Sequence, residues 1–136
     1  MAGPDDRNHL PVVYSCSGAS SAAQLANHVA VELDLGGLAN MSCIAGVGGD
    51  VKSLVRVAQF GRPIVAIDGC PLHCVKACLE RHDVQPTAHF TLTELGISKQ
   101  LHKAFEWTEA QRILSLLSPS VRRLAAHAEP AEPARE

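Results

Sequence analysis

The chain has 136 residues and a formal net charge of −2, enough for one domain whose core needs no disulfide staples. Its charges are scattered and it holds only five aromatic residues, which gives neither a basic footprint nor a stacking platform and excludes nucleic acid as an expected partner. The start shows no basic segment followed by an apolar one, and no apolar run is long enough for a bilayer. The expectation is therefore a cytoplasmic protein without a membrane span, whose thiols stay reduced.

Residues 1–10 are polar with Gly and Pro, and residues 128–136 form a Pro, Glu and Ala run; both read as loose tails around a single domain over 11–127. Pro11 to Cys16 reads as a first buried strand, Ser17 to Ser20 as its turn, and Ser21 with Gln24 as a capping box ahead of a helix over Ala22 to Leu35. Gly36-Gly37 stops that helix. Ala39 to Ala45 reads as a second strand carrying Cys43, and Gly46 to Asp50 as a turn in which Asp50 caps a helix over Val51 to Phe60.

Ile64 to Ile67 is a continuous apolar run, as expected of a central parallel strand covered on both faces. It leads into Asp68-Gly69-Cys70, and Pro71 suits the first position of a helix running to about His82. His89 to Leu95 reads as a fourth strand. Thr108 with Gln111 caps a helix over Glu109 to Leu117, which Ser118-Pro119 should break before a short last helix. Strands alternating with helices predict a small three-layer α/β/α sandwich around a mainly parallel four-stranded sheet. In such sheets, sites form outside the carboxyl ends of the strands.

The chemistry is concentrated in five cysteines. Cys16, Cys43 and Cys70 recur every 27 residues, about one strand, one helix and two turns, so the pattern places all three at the same end of successive strands. Cys74 and Cys78 follow Cys70 at helical spacing, with Leu72, Val75 and Leu79 marking the face buried on the sheet, Cys78 at its border and Cys74 turned to the open side. In a reducing compartment such thiols point to metal binding or thiol chemistry. The metal ligands predicted are Cys16, Cys43, Cys70 and Cys74, with Cys78 as a further candidate, and the ion is Zn2+, which takes four thiolate or imidazole ligands. For each cysteine the bland alternative is a small buried hydrophobe.

A rival reading makes Cys70 the nucleophile of a thiol redox or persulfide-transfer enzyme, since a helix N-terminus just beyond it would favour its thiolate. An iron-sulfur protein is a third reading, with the right ligands but without the tight spacings common in such proteins. A cysteine in a strand-to-helix loop, as at Cys16, also resembles the phosphate loop of tyrosine phosphatases, but Ala22 stands where that loop needs an Arg. Gly46 to Gly49 lacks the lysine of a phosphate-binding loop and reads as a tight turn. Asp68 is read as orienting a ligand or accepting a hydrogen bond from the loop after Cys16, or else as a plain turn residue. Among the histidines only His73 and His82 flank the cysteine helix. Lys99 and His102 could line the same edge or form a solvated turn.

Tyr14 to Gly18, Met41 to Gly49, Asp68 to Cys78 and Leu92 to Ile97 together resemble the bacterial DGC-motif family, across nearly the whole folded region. The resemblance implies a small cysteine-rich zinc-binding protein, acting in metal handling or with a protein partner in a metal or redox pathway. One departure stands out. Where family members resemble Cys-Ser-Gly-Cys, this chain has Cys16-Ser17-Gly18-Ala19, which implies an open fourth position on the ion.

Overall fold

The computed structural model describes residues 7–127. Four parallel strands lie in the order β2-β1-β3-β4: β1 (Val12–Ser15), β2 (Asn40–Met41), β3 (Ile64–Asp68) and β4 (Ala88–Thr91). Val12 pairs with Asn40 on one side and Ile64 on the other, and Val65 pairs with Ala88. Alternate residues of the central strands enter two cores. Val13, Val65 and Ile67 face α1 (Ser21–Leu35) and α5 (Trp107–His127); Val12, Tyr14, Ile64 and Ala66 face the layer of α2 (Ile44–Gly48), α3 (Lys52–Gln59) and α4 (Cys74–Glu80). The three-layer α/β architecture expected from the alternation is the one observed.

The apolar stripe of α1 explains its seat: Ala22, Leu25, Ala26, Val29, Ala30 and Leu33 recur at helical spacing and are all fully buried. Arg7 and Leu10, in the segment expected to be loose, are held: buried Arg62 donates to the carbonyls of both, and Arg7 donates to Asp34. Residues 1–6 and 128–136 lie outside the described residues.

Several boundaries differ from expectation. The second strand, expected over Ala39 to Ala45, is only two residues long, because the chain turns away after Met41 and Cys43 becomes the N-cap of α2. Gly46 and Gly48 are therefore helical, and they are packing residues: a Cβ on Gly46 would collide with the Leu54 side chain, and one on Gly48 would sit 2.8 Å from Cys78 Sγ. Asp50 caps nothing; Val51 is the N-cap of α3, and Asp50, at φ 63°, pairs with Arg81 and His82. The fourth strand gives way to a 3₁₀ turn, Leu92–Leu95.

The expected break at Pro119 does not occur, and α5 runs through it. Ile113, Leu117 and Val121 are fully buried on either side of the proline, so packing against α1 offsets the one hydrogen bond lost. Ser118 Oγ bonds back to the Leu114 carbonyl at 2.6 Å. Among the described residues no helix is long and apolar enough to cross a membrane.

Candidate thiol site

The chain leaves β1 towards β2 on one side and returns to β3 on the other, so the topological switch point of the sheet falls between β1 and β3. Cys16 follows β1 there and extends its pairing, its amide donating to the Ile67 carbonyl at 3.1 Å. Directly opposite, the Gly69 amide donates to Cys16 Sγ at 3.1 Å. Cys16, Cys70 and Cys74 line one cavity of about 240 Å³, together with the loop from Ser17 to Ser20. Leu72 and Leu101 form its rim, 72 % and 61 % exposed, and Lys99 reaches in to donate from Nζ to Cys70 Sγ at 3.3 Å.

Each residue of Asp68-Gly69-Cys70 has a separate task. Asp68 is 1 % exposed, and its carboxylate accepts from the amides of Val75 at 2.8 Å and Lys76 at 3.3 Å, so it caps α4 from the end of β3. His89 Nε2 lies 2.8 Å from the same carboxylate. Asp68, expected to accept from the loop after Cys16, has its carboxylate taken up by α4 and His89, and it is the Gly69 amide beside it that reaches across to Cys16 Sγ. A Cβ on Gly69 would lie 2.8 Å from the Ala22 carbonyl and 2.9 Å from the Ala23 nitrogen, so only glycine lets this loop approach α1. Cys70 then presents its thiol to the cavity.

The helix predicted from Pro71 starts at Cys74, after a turn in which the His73 amide bonds to the Cys70 carbonyl at 3.2 Å. Cys70 therefore does not sit on a helix N-terminus, and Leu72, expected on the buried face with Val75 and Leu79, is exposed because it precedes the helix. Cys43, the exposed N-cap of α2, and Cys78, half-buried beside Gly48, do not line the cavity. His82 bonds to the Val47 carbonyl and Asp50, and His73, in a left-handed conformation, bonds to Thr91 Oγ1. His89, not singled out from the sequence, packs edge-on against His73 at 4.8 Å. The alternation in β4 is the signal that could have found it, since His89 and Thr91 share the face towards α4.

Burial pushes the Cys16 thiol up to about 11 against the opposing bond from Gly69, and neighbouring Asp68, Cys74 and Cys70 push the same way. Cys78 is raised by burial first, then by Cys74 and Asp68. All five cysteines are free. Three sulfurs on one cavity, two of them accepting N–H bonds, form a donor set whose chemistry fits a soft or borderline ion. Among the described residues no three His, Cys, Asp or Glu side chains stand close enough to hold an ion as placed, so the sulfurs share a cavity without yet meeting at a point.

Fold and site define a small parallel α/β protein with a thiol-lined cavity at its switch point. The chain belongs to the DGC domain family, whose model matches residues 12–116. It is 56 % identical, over 124 residues, to the anaerobic and virulence modulator AnvM of Pseudomonas aeruginosa, a match covering 88 % of this chain and 93 % of the relative. No solved structure matches it significantly.

Proposed function

We propose that the chain is a cytoplasmic zinc-binding protein that holds its ion through Cys16, Cys70 and Cys74 and serves metal handling or a metal or redox pathway with a protein partner. The observation that carries this reading is the convergence of three thiols, from the loops after β1 and β3 and from the first residue of α4, on a single cavity. Binding requires the sulfurs as thiolates, so Cys16, protonated at neutral pH, gives up its proton to the solvent as the ion arrives. As placed the three sulfurs do not meet at one point, so binding requires them to draw closer together.

Ala19 lines the same cavity, which supports a fourth position left to water or to a partner's group. Held by Cys16, Cys70 and Cys74 with such an open position, zinc would supply Lewis acidity or a site for ligand exchange. The relative's name speaks of anaerobic and virulence modulation, and a thiolate site, intact only while its sulfurs are reduced, suits a modulator of that kind.

Metal content by mass spectrometry on untagged, anaerobically purified protein tests the reading. Close to one zinc per chain in the wild type, lost in Cys70→Ser, is the expected result; a metal-free wild type with freely titrating thiols overturns it. A brown protein carrying iron would favour a cluster on the same sulfurs instead. The contact of Lys99 with Cys70 favours one second reading, thiol exchange, in which the Cys70 thiolate displaces one thiolate from a partner's disulfide and remains in the mixed disulfide.

A further inference from the structure

Lys99 lies on a segment without regular structure and would pass for a solvated surface lysine, yet its backbone is fixed on both sides. Ser21, the first residue of α1, accepts from the Gln100 amide at 3.0 Å through its hydroxyl, donates that hydroxyl to the Ser98 carbonyl at 3.3 Å, and donates its own amide to the Gln100 carbonyl at 2.8 Å. One turn on, Gln24 Nε2 donates to the Lys103 carbonyl at 3.4 Å. Ile97, buried just upstream, anchors the other end. Ser21 and Gln24, which the sequence presents as a capping box, instead help to dock this segment, Gln24 Nε2 donating also to the Ala19 carbonyl at 3.2 Å, while Ser20 caps α1 by accepting from the Ala23 amide. The result is a lysine on a docked backbone whose exposed side chain brings its ammonium to 3.3 Å from Cys70 Sγ, over the cavity.

A zinc ion held by Cys16, Cys70 and Cys74 as thiolates would leave the site with one excess negative charge. We infer that Lys99 is a positioning residue of this site, orienting Cys70 by an N–H···S bond and offsetting that charge; the inference rests on the zinc reading above. It assigns the segment from Ser98 to Gln100 a role in the site rather than in the fold. Hydrogen bonds from outer partners to metal-bound sulfur commonly alter affinity by about 10- to 100-fold, and the exposure of Lys99 places its effect at the lower end.

The test is zinc affinity, by competition with a chromophoric chelator, for the full-length wild type, Lys99→Met, Lys99→Arg and Lys103→Met, the last removing a neighbouring positive charge outside the cavity. Lys99→Met should weaken binding about tenfold. Lys99→Arg, which keeps charge and donor, should restore most of the loss, and Lys103→Met should match the wild type. Equal affinity in Lys99→Met and wild type overturns the inference, as does an equal loss in Lys103→Met. If the wild type binds no zinc, the zinc reading falls, and the rate at which iodoacetamide alkylates Cys70 then decides the role of Lys99. A rate several-fold slower in Lys99→Met and recovered in Lys99→Arg upholds the contact with Cys70; equal rates overturn it.

Discussion

Cysteines that look equivalent in spacing end in two unlike regions. At the ends of β1 and β3, Cys16 and Cys70 continue two strands that stay paired to their last residues, and Cys74 joins them across one cavity. Around α2, Cys43 sits exposed on a helix start and Cys78 packs against Gly48. The interval of 27 residues is the same, but β2 stops two residues after it begins, and a five-residue helix occupies the path that would have carried Cys43 to the edge. Equal counts of residues bring side chains together only when the chain spends them on the same elements.

The largest test of this contrast is metal retention. Cys70→Ser should lower zinc affinity by about 100-fold or more, while Cys43→Ser should leave it within about twofold, both read by chelator competition. An equal loss in the two variants would abolish the distinction between the regions. Asp68→Ala should destabilise the metal-free protein by about 2–3 kcal/mol in urea unfolding, because the Val75 and Lys76 amides and His89 lose their shared acceptor. Gly69→Ala should cost about 1–3 kcal/mol through collision with the α1 backbone. At Gly37→Ala, where no atom lies within 4 Å, only the positive φ resists the new side chain; if Gly69→Ala costs no more, the close approach to α1 is not a constraint.

The smallest expected effect concerns pH. Burial raises Cys16 from its ordinary 9.0 to about 11, so the unfolded chain releases this proton first as pH rises. Its contribution is fully present below pH 9 and is lost as pH climbs through 11. Solvent screening of this half-buried group reduces the effect to about 1 kcal/mol. Urea midpoints of metal-free wild type and Cys16→Ser should converge over that range; parallel curves would show that Cys16 is no more buried than an ordinary surface thiol.

The parallel sheet and its two covering layers were legible because β1, β3 and α1 carry unbroken apolar patterns. The thiol edge was legible in Cys16, Cys70 and Cys74 for the same reason, since the strands before them are well marked. Cys43 was misplaced because Met41 to Gly49 holds small and apolar residues that suit a strand as well as a helix, and contacts with Leu54 and Cys78 decide between them. Pro119 misled in the opposite sense, a strong local signal overruled by burial on both sides. His89 and the true partner of Asp68 depend on contacts between β3, β4 and α4 that local spacing does not encode. Ser21 and Gln24 matched a local motif, but their side chains also serve a segment more than seventy residues away.

The brevity of β2 has a consequence for how this protein meets others. A parallel sheet must end somewhere, and a long bare margin invites strands of other chains to add on, which leads to unwanted assembly. Here one margin offers two residues of backbone, too little for a ladder to grow. Recognition through strand addition is closed on that flank, which leaves side-chain contacts as the means by which a partner would engage it.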